Sequence, residues 1–393
     1  MRKEWQQGTF GDLVQPDIQK VDVQRGTKYP IVGVLGFGRG LLHRDAVTTE
    51  STRYKQLHQV RPGQLIYSKL KAFEGAITVV PAEHDIAYAS PEFPTYRTTA
   101  RALPKYVQLI TQRPALWADL AAQSKGVGGR RERLNPRDLL SVPVQYPQVA
   151  EQRRIVDLVT ALDDTITTAE SAYAHLLSAT ELMRDVDFSP VGKVCVSLDQ
   201  LCSVDGSLVK PTGSLAELPH VGAERIVSGT GDLVGVVSAR EDGVTSGKYR
   251  FDDRHVIYSK IRPNLRKVAV PDAPGLCSAD AYPLLGRDGV PRRYLQQLLL
   301  SSAFTEVAAS RSGRTKMPKI NRTELMSIEV RWHAADEMAG LAGKYDALTK
   351  AREGLRRHAT RLRNVRSNLL TALLSGEHEI PESYDELMED VAA

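Results

Sequence analysis

Glycine beside arginine or lysine is the pattern in this chain with the most chemical content. Gly36-Phe37-Gly38-Arg39-Gly40 follows an apolar run over residues 31–35, and a glycine turn after a strand is how dinucleotides and adenosylmethionine are cradled. The turn lacks the last glycine of GxGxxG, and no long helical pattern follows it directly, so a tight turn is the plainer reading. Gly243-Val244-Thr245-Ser246-Gly247-Lys248-Tyr249 is one residue short of a phosphate loop and ends in Tyr where Ser or Thr must hold magnesium. The chain has no [Asp/Asn]-Pro-Pro-[Tyr/Phe] clamp for a flipped base, and neither Pro16-Asp17 nor Pro271-Asp272 is followed by the carboxylate and lysine of a PD-(D/E)xK nuclease. The nine histidines are scattered, with no HExxH, and Cys195, Cys202 and Cys277 form neither a CxxC pair nor a disulfide framework. No catalytic residues and no metal ligands emerge. By elimination, binding is favoured over chemistry.

The same cations suit DNA. Arg39, Arg44, Lys69 and Lys71, then Lys125, Arg130, Arg131 and Arg133, lie by glycines, turns or strand ends, and Lys248, Arg250, Lys260, Arg262, Arg266, Lys267, Arg311, Arg314, Lys316 and Lys319 repeat the theme. Glycine lets the backbone approach a phosphate while the guanidinium fork reaches a base edge. Gly126-Val127-Gly128-Gly129-Arg130-Arg131 and Ser312-Gly313-Arg314-Thr315-Lys316 are the strongest cases. One charged loop is ordinarily a solvated loop; two at equivalent positions of a duplicated chain favour a nucleic acid. Lys69 and Lys260 have a second reading, as residues that secure a strand common to both halves.

The elements that position these residues come in two copies. Tyr29-Pro30-Ile31-Val32-Gly33 recurs as Leu218-Pro219-His220-Val221-Gly222, and Ile66-Tyr67-Ser68-Lys69 recurs identically as Ile257-Tyr258-Ser259-Lys260. Leu134-Asn135-x-x-Asp138-Leu139 matches Ile320-Asn321-x-x-Glu324-Leu325. The offset between the copies drifts by a few positions from one match to the next, as small loop changes produce. Each half reads as about 140 residues of short strands and helices, α/β or α+β, followed by a long helix. Helical patterns cover residues 106–122 and 294–310, and Asn135 and Asn321 are expected to cap short closing helices. In the long helices Ile155, Leu162, Ala169, Leu176 and Met183 fall seven apart, as do Leu341, Leu348, Leu355, Leu362 and Leu369. Either these two seams pack on each other as an antiparallel coiled coil, the simpler solution, or each helix packs on its own globular domain.

At 393 residues the chain exceeds a single core. With 42% apolar and 25% charged residues it has ordinary globular composition, and no run of ~18 apolar residues spans a bilayer. The N-terminal sequence has no apolar core for a signal peptide, and a cytoplasmic location is expected. The net charge of +5 conceals a contrast: Glu377, Glu379, Glu382, Asp385, Glu386, Glu389 and Asp390 make the segment 377–393 acidic, with no Lys or Arg, and leave the rest basic.

The GFGRG turn, the two Ile-Tyr-Ser-Lys segments, Ala89-Ser90-Pro91-Glu92-Phe93-Pro94, Gly129-Arg130-Arg131 ahead of Leu134-Asn135-Pro136, and Ala150-Glu151-Gln152-Arg153-Arg154-Ile155 opening the long helix carry a resemblance. Together with Cys277-Ser278-Ala279-Asp280 and Ser312-Gly313-Arg314-Thr315, they resemble the specificity subunit of type I restriction-modification systems over residues 1–376. The resemblance implies target-recognition domains at 1–148 and 189–331, spacer helices at 149–188 and 332–376, and an acidic tail at 377–393. It implies a bipartite double-stranded DNA site, with Arg39, Arg44, Lys69, Lys125, Arg130 and Arg131 at one half-site and Lys248, Lys260, Arg262, Arg314 and Lys316 at the other. Glu151, Gln152, Arg153 and Arg154 would help dock methyltransferase subunits, as would Glu337, although Ala335-Asp336-Glu337-Met338 departs from the first copy. Two methyltransferase subunits, and two restriction subunits where present, would carry the chemistry, with adenosylmethionine, ATP and magnesium on those partners and no cofactor on this chain. Some 35 residues of helix at ~1.5 Å each would form a ruler of roughly 50 Å, the rise of about 15 base pairs. A stand-alone adenosylmethionine- or nucleotide-dependent enzyme and a coiled-coil adaptor without DNA contact are the alternatives.

Overall fold

The computed structural model describes residues 5–124, 133–313, 317–376 and 378–385. The first half forms β1 (Gln6–Thr9), β2 (Val14–Pro16), β3 (Gln19–Asp22), β4 (Tyr29–Val34), β5 (Leu41–Val47), β6 (Gln56–Val60), β7 (Leu65–Tyr67), β8 (Ile77–Val79), β9 (Ala87–Ala89), β10 (Thr95–Thr98) and β11 (Pro143–Tyr146). The second forms β12 (Cys195–Ser197), β13 (Cys202–Val204), β14 (Leu208–Val209), β15 (Pro219–Val221), β16 (Val237–Ser238), β17 (Lys248–Phe251), β18 (His255–Ser259), β19 (Val268–Ala269), β20 (Gly275–Cys277), β21 (Ala281–Gly286) and β22 (Glu329–Arg331). The sheet orders are β1-β11, β2-β10-β7-β8 and β3-β6-β9-β4-β5, then β12-β22, β13-β21-β18-β19 and β14-β17-β20-β15-β16. Adding eleven to every strand number of the first half generates the second. Even the parallel pair recurs, β4 with β9 and β15 with β20. The repeat is therefore one of topology as well as sequence.

The Ile-Tyr-Ser-Lys segments recur because a central strand of each half is buried on both faces. Along β7 the side chains alternate: Leu65 and Tyr67 enter a core with Phe10 and Tyr106, while Ile66 enters a second core with Val32, Val34 and Val60. Along β18, Val256 and Tyr258 face Tyr294 and Leu298, while Ile257 faces Val221 and Phe251. A strand loaded on both faces reads as a short continuous apolar run.

The helices are α1 (Phe10–Leu13), α2 (Pro104–Thr111), α3 (Pro114–Gln123), α4 (Pro136–Leu140), α5 (Val149–Asp187), α6 (Arg292–Leu300), α7 (Ser302–Arg311), α8 (Arg322–Met326) and α9 (Ala335–Leu374). The two continuous patterns at 106–122 and 294–310 are each broken into two helices. Pro114 forces Arg113 into an extended conformation. Ser301 is extended as well, and its hydroxyl accepts the Phe304 N–H as the cap of α7. Asn321 caps α8 in a capping box with Glu324, accepting its N–H at 2.8 Å. Asn135 stands at the same place before α4 but donates its amide to the Asp138 carboxylate instead.

The chain divides into two compact units, residues 1–168 with 360–393, and residues 169–359. In the first, Ile155, Val156 and Val159 near the start of α5 share a core with Leu370, Leu373 and Leu374 at the end of α9, so the two segments run antiparallel. Asp163 is bonded to Arg366 there. In the second, Phe188, just past α5, packs with Met338, Ala342 and Tyr345 near the start of α9, and Asp187 accepts from Lys344 Nζ and Tyr345 Oη, both at 2.7 Å. Of the heptad residues, Ile155 is buried, Leu162, Leu176, Leu348, Leu355, Leu362 and Leu369 are half-buried, and Met183 is exposed. At 39 and 40 residues, α5 and α9 exceed the length expected from the seam, because helix extends into the polar first turn of each, ahead of the apolar positions.

The units differ in what fills the corresponding helix positions, 166 with 352 and 184 with 370. The first unit places Ile166 and Leu370 there, and the second places Arg352 and Arg184, each at most 8% exposed. Arg184 Nε donates to Gln297 Oε1 at 2.9 Å and its Nη1 to the carbonyls of Gly229 and Leu300. Arg352 is paired with Asp232. Removing one member of a buried pair strands the other, so Arg352→Ala is predicted to cost about 3–5 kcal/mol. In a double-mutant cycle by chemical denaturation, Arg352→Ala with Asp232→Ala should cost clearly less than the sum of the single changes.

Candidate nucleic-acid interface

In each half the loop after the central strand meets the strand-end region after the helical pair. In the first half, Leu134 N–H donates to Lys69 O at 2.9 Å. In the second, Ile320 N–H donates to Lys260 O at 3.1 Å and Arg262 N–H to Pro318 O at 2.8 Å. The cation-rich segments are thus flanked by residues bonded to the ends of β7 and β18. Lys125, Arg130, Arg131, Arg314 and Lys316 themselves lie outside the described residues.

Lys69 and Lys260 have the same internal partner. Lys69 Nζ donates to Pro91 O at 2.7 Å, and Lys260 Nζ to Ala279 O, the matching position of the second copy, at 2.8 Å. Burial pulls the Lys69 ammonium below its usual range, opposed by Glu92. Lys260 also lies 5.2 Å from the Tyr282 ring centroid. Both therefore tie the end of a central strand to a neighbouring turn, as one of the two sequence readings held. Lys248 is buried and directs its ammonium at the Ser246 hydroxyl at 2.7 Å and carbonyl at 3.2 Å; it is withdrawn from the surface and is dropped from the interface.

Arg39, Arg44 and Arg262 are exposed. Arg39 Nε donates to Gly36 O at 3.0 Å, which orients the side chain along its glycine turn. Arg44 lies on β5, the edge strand of the five-stranded sheet. Arg262 has φ 48°, in the left-handed region that costs a non-glycine residue ~1–2 kcal/mol, and its guanidinium has no partner among the described residues. The neighbouring Arg266, φ 47°, is engaged with Glu181 at 2.5 Å. Of these two left-handed arginines, Arg266 is thus held internally and Arg262 is exposed.

Of the residues expected to dock partner subunits, Glu151, Gln152, Arg154 and Glu337 are engaged with this chain's own termini, loops and helix start. Gln152 is fully buried: its Oε1 accepts Leu103 N–H at 3.0 Å, and its Nε2 donates to the carbonyls of Arg101 and Pro147. Glu151 accepts from the Trp5 indole at 3.3 Å. Arg154, 8% exposed, donates to both oxygens of Asp385 at 2.9 and 2.7 Å, with Nη1 3.4 Å from Ile380 O. Glu337 accepts the Ala334 N–H at 3.0 Å and so caps α9. Arg153 alone of the 151–154 set is exposed. Part of the acidic tail therefore packs on the first unit: Ile380 and Tyr384 join its core, and Asp385 pairs with Arg154.

Among the described residues no three His, Cys, Asp or Glu side chains cluster as metal ligands, and no helix is long and apolar enough to cross a membrane.

No family model matches the chain. A stretch of 183 residues is 31% identical to the type I restriction enzyme EcoDI specificity subunit of Escherichia coli, covering 46% of this chain and 40% of that protein. Over that stretch this chain is similar in sequence to a type I specificity subunit. The fold agrees along nearly the whole length. A solved chain from work on complex assembly and conformational transition of the type I R-M system matches with a TM-score of 0.57 and 17% identity, over 95% of this chain and 98% of that one. The S subunit of a type I restriction-modification system from M. genitalium matches with a TM-score of 0.54 and 13% identity, over 95% and 97%. The aligned part of the EcoDI subunit is less than half of that protein, so the likeness in sequence is local while the likeness in fold is general.

Hydrogen bonds from Arg154 hold the Asp385 carboxyl below the usual carboxylate range. A depressed folded-state value means that the tie stabilises above the unfolded-state pKa and is lost as pH falls through the folded one. The difference in melting temperature between wild type and Asp385→Asn is predicted to be constant above pH ~5 and to shrink progressively as pH falls below the ordinary aspartate value of ~3.9.

Proposed function

We propose that the chain is the DNA-specificity subunit of a type I restriction-modification complex. Each half reads one part of a bipartite double-stranded site, and the two long helices connect the readers and carry the partner subunits. The observation that carries this reading is the doubled topology: the same eleven-strand order occurs twice, and each copy offers exposed arginine on its loops, in a chain related to specificity subunits. Two different half-sites require two readers with one scaffold. Methylation is assigned to two methyltransferase subunits bound to this chain, and cleavage to two restriction subunits where they exist, with adenosylmethionine, ATP and magnesium on those partners.

Among the described residues Arg39 and Arg262, one in each half, are assigned to base edges, and Arg44 to phosphate. The segments 125–131 and 314–316 are assigned to the same interface on their sequence alone. Lys69 and Lys260 are placed as strand anchors that leave only a secondary role toward phosphate.

Methylome sequencing of cells with and without the gene tests the proposal. Loss of N6-methyladenine at a single bipartite motif is the expected result, and survival of every methylated motif would sink it. In mobility-shift titrations, Arg262→Ala is predicted to cost about 1–3 kcal/mol on the preferred duplex and to relax preference at one position of one half-site. Arg44→Ala should weaken all duplexes alike and flatten the salt dependence.

A further inference from the structure

The turn between β4 and β5 carries a side chain that the fold does not need. Phe37 is 60% exposed and sits at φ 60°, a left-handed conformation that disfavours a bulky residue and that glycine adopts freely. Its surroundings are firm. Phe37 N–H donates to Glu74 O at 2.7 Å, and Gly38 N–H to Gly75 O at 3.3 Å. Trp117 lies against the turn, its N–H bonded to Thr111 O at 2.8 Å, with its ring edge-on to that of Phe37 at 6.0 Å. A Cβ on Gly75 would come within 2.7 Å of the Trp117 ring, so the two loops close tightly on the indole. The result is a rigid pedestal that leaves most of an aromatic ring in solvent.

The second half repeats one of these backbone bonds with a different residue beside it. Gly229 N–H donates to Arg266 O at 3.0 Å, which is the Gly38–Gly75 bond repeated in the register that aligns Lys69 with Lys260. In that register Ser228, also exposed, replaces Phe37. Two copies that share this bond and differ at the exposed residue beside it suit two readers of different sequences.

Charge identifies the occupant. Arg39 is exposed two residues away, and Lys71, 61% exposed, stands on the loop that holds the turn, paired at 3.1 Å with Glu74. An apolar ring flanked by cations fits DNA, where the cations meet phosphates and the ring meets the one apolar group on a base edge, the thymine methyl.

We propose that Phe37 is a specificity-determining residue that reads a thymine methyl in the first half-site. This rests on the DNA-binding reading above. The test uses the full-length chain and a library of duplexes with both half-sites randomised, scored by selection and by titration over a range of salt concentrations. Phe37→Gly removes the ring and relieves the backbone. The expected result is a melting temperature equal to or above wild type, roughly tenfold weaker binding to the preferred duplex, loss of preference at one A·T pair of one half-site, and an unchanged salt slope. Phe37→Tyr, which keeps the ring, retains the preference. Unchanged affinity and preference in Phe37→Gly would overturn the proposal, as would a loss spread over both half-sites or accompanied by a lower melting temperature. If the wild type itself selects no bipartite duplex, the DNA reading fails and this proposal with it, an outcome separate from the one in which only Phe37 is indifferent.

Discussion

The whole molecule depends on one strand per half being buried on both faces. β7 and β18 each separate two cores, so neither can shift register by a residue without exchanging the two sets of side chains. A lysine at the end of each strand fixes that register by bonding a carbonyl in the turn that follows β9 or β20. The loop after each strand, and the turn bonded to that loop, start from this fixed point. The identity of the Ile-Tyr-Ser-Lys segments is thus a requirement of the frame, while the residues around it are released to differ.

The copies have diverged where frame meets helix. At the corresponding helix positions one unit buries Ile166 and Leu370, the other Arg352 and Arg184. An apolar contact tolerates small rearrangements, whereas a buried guanidinium must satisfy its donors in a set geometry. Arg184 bridges a glutamine and two carbonyls, and Arg266 and Arg352 hold Glu181 and Asp232. The second unit is therefore fixed by direction-dependent bonds, and the first by packing alone at these positions. Burial lowers the Arg184 pKa from its usual value.

Much of the fold was legible in the sequence because the signals were periodic: the long repeat, the β-branched runs between Gly and Pro, and the heptad spacing of leucines. The splitting of the two helical patterns was half-legible, since Pro114 announces its break and Ser301 does not. The site was less legible. For Lys69 and Lys260 residue type allowed both a ligand and a strand anchor, and for Lys248 a ligand; the three-dimensional fold turns their ammonium groups toward carbonyls. Gln152 and Arg154 looked like an exposed polar turn of helix, yet their partners lie at Leu103 and Asp385, separations in sequence that no local pattern encodes. Phe37 carries no signal of its own in the sequence, because its flanking glycines read as a tight turn and a backbone angle is invisible in a string of residues.

The discontinuity of the first unit bears on how the chain is made. That unit needs Leu370, Leu373, Leu374 and Ile380 to complete its core, whereas the second unit is continuous from 169 to 359. During synthesis from the N-terminus, the half that is translated first is the last to be finished, the reverse of the usual order in multidomain chains. A ribosome that stops before residue 360 leaves Ile155, Val156 and Val159 without their apolar partners. An interrupted product then exposes a hydrophobic surface to the cell's quality control, and a reader lacking its closing segment is marked for removal by the same residues that would have held it together.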